Sequence, residues 1–146
     1  MNTEQIKKEA SAAHQREDYV EALRLFLIAA GLGDADAQNT VGIMYLNGRG
    51  APENAFEAAK WFRLSAELGD ISSQYMLGCC YDEGKGVPQD DVLAYMWLSL
   101  AATTGYERAI DWKAMVAKRM TKPQIVEAER LARDSGIQPI IRACPV

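Results

Sequence analysis

The chain has 146 residues, 49% of them hydrophobic and 25% charged, with a net charge of −4. That length fits one domain with a continuous core, and no apolar run approaches the roughly 18 residues a membrane-spanning helix needs. Alternating apolar and polar runs are absent, which leaves strands with little support.

Start and stop signals place eight helices in four pairs. The first pair covers Thr3 to Gln15 and Tyr19 to Leu32, with Asp18 and Glu21 spaced as a capping box. The second runs over Ala35 to Asn47 and Ala55 to Leu68, where Asn54 and Glu57 repeat the device. Ile71 to Glu83 and Asp91 to Thr104 form the third, entered through Gln89 and Asp90. Tyr106 to Arg119 and Lys122 to Asp134 form the fourth. Thr121 and Gln124 cap its second helix, and Pro123 sits in the first turn, where a missing N–H is harmless.

These pairs are copies of one unit. Gly42, Tyr45, Gly48, Gly50, Pro52, Ala58, Trp61, Ala66 and Gly69 recur 36 residues later as Gly78, Tyr81, Gly84, Gly86, Pro88, Ala94, Trp97, Ala102 and Gly105. A helix pair of this size cannot bury its apolar side alone, so the copies must stack into an all-α solenoid. The expected units are an N-terminal capping repeat (1–34), full repeats at 35–70 and 71–105, a C-terminal capping hairpin (106–136) and a tail (137–146). Small residues set against Tyr45 and Tyr81 imply close helix packing, and Trp61 and Trp97 are expected to be buried.

Gly48-Arg49-Gly50 and Gly84-Lys85-Gly86 combine glycine with a cation, as phosphate loops do. A phosphate loop leads from a strand into a helix, whereas these leave a helix. They are therefore read as helix ends, with Pro52 and Pro88 preventing continuation.

The run Leu77-Gly78-Cys79-Cys80-Tyr81-Asp82-Glu83-Gly84-Lys85-Gly86-Val87-Pro88-Gln89-Asp90, followed by Ala94, Trp97, Ala101, Ala102 and Gly105, resembles the Sel-1-like repeat, a relative of the tetratricopeptide repeat. Val41 to Gly50 with Ala58, Trp61, Ala66 and Gly69 carries the same pattern. The resemblance implies a right-handed α–α superhelix of antiparallel helix pairs and a noncatalytic adaptor or scaffold role in protein complexes. An alternative is hydrolase or penicillin-binding (β-lactamase-like) activity, ascribed to a cysteine-rich branch of the family. That branch ties each repeat with a cysteine pair, and the positions around Ala66-Glu67 and Ser72-Ser73 carry none here.

The ionisable residues compose no catalytic, metal-binding or cofactor-binding set. His14 is the only histidine, and its ordinary reading is a polar residue on an exposed helix face. Cys79 and Cys80 are sequence neighbours, about 100° apart on a helix, and Cys144 lies in the tail. Three cysteines without ligand spacing fit a reducing compartment better than a disulfide framework.

In tetratricopeptide-like arrays the first helix of each pair lines the concave wall. Helical spacing puts Asn39, Ile43 and Leu46 opposite the packed side of the second repeat's first helix. The corresponding positions are Lys7, Ser11 and His14, then Tyr75, Cys79 and Asp82, then Asp111, Met115 and Lys118. Such a mixture of apolar anchors and polar rim suits a peptide or a helix of another protein.

Residues 1–105 carry eight Lys plus Arg against fifteen Asp plus Glu, a balance of −7, while residues 106–146 balance at +3. An acidic body disfavours nucleic acid. The opening MNTEQIKKEA lacks a signal-peptide core, so a soluble cytoplasmic protein is expected, without membrane insertion. Self-association through the apolar tail Ile137 to Val146 is a further expectation.

Overall fold

The structure, a computed structural model, describes residues 2–142. Among them are eight helices and no strand: α1 (Thr3–Gln15), α2 (Tyr19–Gly31), α3 (Ala35–Asn47), α4 (Ala55–Glu67), α5 (Ile71–Glu83), α6 (Asp91–Ala102), α7 (Glu107–Ala117) and α8 (Lys122–Asp134). The second helices of the first three pairs stop slightly short of expectation, because Leu32, Leu68 and Thr103 serve as their C-caps.

Seven of the eight helices begin with a side chain that accepts a hydrogen bond from a backbone N–H two or three residues into the helix, satisfying a donor with no partner inside the helix. Only Tyr106, before α7, gives no such cap. Two expected capping boxes form by half. Asp18 and Asn54 accept from Glu21 and Glu57, but those glutamates turn to Arg24 and Lys60 three residues on instead of reaching back. Thr121 and Gln124, with no such competing ion pair, make the reciprocal box.

Within each central pair the helices meet at a glycine. A Cβ added to Gly42 would stand 2.6 Å from the Phe62 ring, and one on Gly78 would stand 2.7 Å from Leu98 Cγ. Phe62 and Leu98 are fully buried there, so one element's bulk occupies the space that the other's missing side chain leaves. The two tryptophans of the repeated motif differ: Trp97 is buried at 4% exposure, whereas Trp61 is half-buried.

Successive pairs are joined by a second device. The second helices α2, α4 and α6 each pack on the next pair's first helix as well as on their own. At these junctions Asp34 and Asp70 cap α3 and α5, while buried Gln38 and Gln74 donate Nε2 hydrogen bonds to the Ala30 and Ala66 carbonyls at 3.1 and 3.2 Å. Those carbonyls lie in the last turn of the preceding helix, where intrahelical partners have run out.

Gly48 and Gly84 are left-handed C-caps at φ 68°, as their position after a helix suggests. Gly50 and Gly86 serve closeness as well as conformation. A Cβ at either would strike a backbone carbonyl at the start of the preceding second helix, Tyr19 or Ala55. Arg49 stacks over the Tyr19 ring at 5.0 Å, so this cation is engaged in structure.

The C-terminal end departs from the regular pattern. Instead of pairing closely along α7, α8 packs across α6, so the expected terminal hairpin closes on the third unit. Residues 137–142 then fold back over their own chain. Ile140 N–H donates to the Gly69 carbonyl at 2.9 Å, and Arg142 bridges Asp36 and Asp70 at 2.8 and 3.0 Å. This described part of the tail, expected to dock on another copy, is placed intramolecularly; residues 143–146, Cys144 included, lie outside the described residues.

Gly42→Ala is expected to lower stability by about 1–3 kcal/mol, because the Phe62 ring must give way in a packed core. Gly31→Ala, at a helical site with no atom within 4 Å of the new Cβ, should instead raise stability by about 0.5–1 kcal/mol. Urea unfolding of the two variants beside the wild type checks both signs.

Candidate functional site

The row of first-helix residues is the best candidate site. All twelve of Lys7, Ser11, His14, Asn39, Ile43, Leu46, Tyr75, Cys79, Asp82, Asp111, Met115 and Lys118 keep some exposure, and the opposite positions Val41 and Met44 are buried. Helical periodicity thus separates two sides of α3 as expected.

At the N-terminal end, Lys7 forms ion pairs with Glu4 and Asp34, both at 3.1 Å, and approaches Asp36 at 3.7 Å. Burial opposes its charge, but hydrogen bonds to Glu4 and Asp34 outweigh it and hold the pKa above the ordinary lysine range. Ser11 and His14 line a cavity of about 340 Å³ with Gln15, Phe26 and Thr40. His14 meets the Tyr19 ring edge-on at 5.1 Å.

In the middle, the row is stitched from helix to helix. Ser73 Oγ donates to Asn39 Oδ1 at 2.8 Å, linking α3 to α5. Ile43, Leu46 and Tyr75 lean on the core while keeping one side open. Tyr75 packs edge-on against Tyr106 and Trp112, with centroids 5.4 and 6.3 Å away. Asp82 accepts from Trp112 Nε1 at 2.8 Å and pairs with Arg119, which also holds Asp91 at 2.9 Å. Asp111, Met115 and Lys118 continue along α7 as exposed residues.

Several participants escaped sequence reading: Ser73, Tyr106, Trp112 and Arg119. Trp112 lies 30 residues from Asp82 in a stretch where repeat identities have vanished, so no register pointed to the contact. The signal available was chemical, since a tryptophan in a degenerate end repeat needs a partner for its N–H.

The site offers little nucleophilic chemistry. Burial pushes Cys79 and Cys80 up to about 11, and Tyr75 up to about 12, so the thiols and phenol hold their protons at neutral pH. Among the described residues, no three His, Cys, Asp or Glu side chains are grouped to hold a metal ion.

Comparison with known proteins fits this geometry. The sequence pattern described as Sel1 repeat matches residues 13–34, 35–70 and 71–106, over half of the chain. The chain belongs to the Sel1 repeat family. Its helical-repeat scaffold is generally noncatalytic and generally mediates protein–protein interaction. This Sel1 repeat chain is similar to a Sel1 repeat protein from Oxalobacter formigenes, with 30% identity, 78% of this chain and 89% of that chain covered, and a TM-score of 0.72. It also shares the fold of c5321, a protective antigen present in uropathogenic Escherichia coli strains and displaying an SLR fold, with a TM-score of 0.86 at 24% identity. That match covers 99% of this chain but 35% of the antigen, so the Sel1 repeat chain spans about a third of its length. Curated proteins give no sequence match.

The raised thiol pKa values carry a pH dependence. A group whose folded pKa exceeds its unfolded value stabilises the fold below the unfolded pKa, here 9.0, and that contribution fades as pH rises through about 11. The denaturation midpoint should therefore fall between pH 9 and pH 11. In a Cys144→Ser background, alkylation at pH 8 should run on the order of 100-fold slower in the folded than in the unfolded chain. Equal rates would show that neither thiol is held protonated.

Proposed function

We propose that this Sel1 repeat chain is a noncatalytic adaptor that holds another polypeptide along the row formed by its first helices. The observation that carries the reading is the periodic placement of partly open side chains on α1, α3, α5 and α7, with apolar Ile43, Leu46, Tyr75 and Met115 set among Lys7, Asn39, Asp82, Asp111 and Lys118. A few apolar anchors within a polar rim suit an extended peptide or a helix, the anchors giving affinity and the rim giving register.

Rigidity favours the same role. The links from Asn39 to Ser73 and from Asp82 to Trp112 fix the spacing of neighbouring helices before a ligand arrives, which reduces the ordering cost of binding. The acidic first 105 residues favour polypeptide over nucleic acid. No helix among the described residues is long and apolar enough to cross a membrane. Unpaired Cys79 and Cys80 favour a reducing, cytoplasmic setting.

The test uses peptides selected from a random library on the immobilised full chain. Asp111→Lys and Met115→Glu, at exposed positions of the row, are expected to weaken the selected peptides by about tenfold or more while leaving the helical circular-dichroism signal and melting temperature in place. Unchanged affinity in both variants would remove the row from consideration.

A further inference from the structure

The chain beyond α8 lies in a seat along the α4–α5 junction. Ile140 N–H donates to the Gly69 carbonyl at 2.9 Å, and a Cβ on Gly69 would strike the Gln138 carbonyl. At Gly33, 36 residues earlier, nothing stands within 4 Å of that position. The close approach at Gly69 therefore belongs to the tail. A Gly69 carbonyl open to a second chain calls for a free backbone N–H, which an extended segment offers and a helix interior does not.

The seat is acidic. Arg142 bridges Asp36 at 2.8 Å and Asp70 at 3.0 Å, and the Asp70 side chain is only 2% exposed. The other Asp70 oxygen accepts from Ser73 N–H at 2.9 Å, as the cap of α5. At the preceding junction Lys7 of α1 serves Asp34, but the corresponding residue of α3 is Asn39, which is neutral and accepts from Ser73 Oγ. Lys7 also approaches Asp36, at 3.7 Å, while held by Glu4 and Asp34 at 3.1 Å. Among the described residues Arg142 alone pairs with Asp70. A segment replacing the tail must therefore bring a cation, because Asp70 would otherwise be left buried and unpaired.

The resident tail fills this seat only in part. A cavity of about 310 Å³ remains between Ile137, Gln138 and Pro139 of the tail and Gln74, Leu100 and Ala132 of the array. Among the described residues, one backbone bond and one guanidinium hold the tail after its turn at Gly136, φ 69°. A second copy's tail would bring the same incomplete fit against a resident held at an effective concentration of about a millimolar, so exchange between copies gains nothing. A partner segment with a larger apolar side chain over the cavity gains contact that the resident lacks.

We propose that the α4–α5 junction is a binding site for an extended, arginine-bearing segment of a partner protein, with the chain's own tail as a built-in competitor. The segment's backbone N–H meets the Gly69 carbonyl, its guanidinium takes the place of Arg142 between Asp36 and Asp70, and an aromatic side chain fills the space beside Leu100 and Ala132. This site does not rest on the proposed use of the first-helix row, and the two readings fail separately.

The probe is a fluorescent peptide of Ser135 to Arg142 carrying Ile137→Phe, titrated into the full chain. Arg142→Glu in the chain turns its own tail away from the two carboxylates, so this variant should bind the peptide at least about tenfold more tightly than the wild type. Arg142→Glu in the peptide should cost at least about tenfold. Asp36→Asn added to the chain variant, at an exposed position, should cost about threefold. Ile140→Pro in the peptide, which removes the donor to Gly69, should weaken it as well, whereas Met115→Glu in the chain should leave binding unchanged. Should Arg142→Glu lower the chain's helical circular-dichroism signal, Ile140→Pro in the chain loosens the tail with Arg142 in place and gives the same readout. Absence of saturable binding to both loosened chains, equal binding of the Arg142→Glu peptide, a phenylalanine peptide no tighter than the native sequence, or loss caused by Met115→Glu would overturn the proposal. So would sedimentation showing that the wild type dimerises and that Arg142→Glu makes it monomeric, which assigns the seat to a second copy's tail.

Discussion

The close contact between a glycine on a first helix and a bulky residue on its second, Gly42 with Phe62 and Gly78 with Leu98, is the constraint on which the array depends. It draws the backbones of a pair together and fixes which sides face inward. Once Phe62 and Leu98 fill those spaces, Val41, Met44 and Leu77 become buried on the same first helices, and the alternate side keeps its exposure. The sides of the second helices turned away from both neighbouring first helices follow from the same arrangement.

Junctions between pairs add polar specificity to this apolar packing. Gln38 and Gln74 each reach back to a helix-end carbonyl, adding an amide donor to the Gly33 or Gly69 N–H that it already accepts, and Asp34 and Asp70 begin the next helix four residues earlier. Such a joint favours one register, since sliding by a residue would strand the buried amide. The third junction lacks the device, with exposed Ile110 at the place of Gln74, and there the regular stacking gives way to α8 crossing α6.

Much of this was legible in the residues. Repeated glycine, tryptophan and alanine positions fixed the helix order, and four helices, α1, α3, α5 and α8, have the expected bounds because polar caps or glycines punctuate both ends. Local rules failed where a third group competes, as when Arg24 draws Glu21 away from its capping role. They failed again where contact depends on distant chain: nothing near Ile137 signals that Ile140 meets Gly69 or that Arg142 meets Asp70. In the candidate row, periodicity found the open side of each first helix, but the stitches through Ser73, Trp112 and Arg119 join residues about 30 or more positions apart and required coordinates.

Two interior helix starts receive their counter-charges from opposite extremes of the polypeptide. Lys7 neutralises Asp34, and Arg142 neutralises Asp70, a carboxylate with almost no access to solvent. The central repeats are consequently not self-contained bricks. Excising α3 to α6 for transplantation into another array would carry along two anionic joints stripped of their neutralising ions, and a recipient scaffold would have to furnish a cation at each seam.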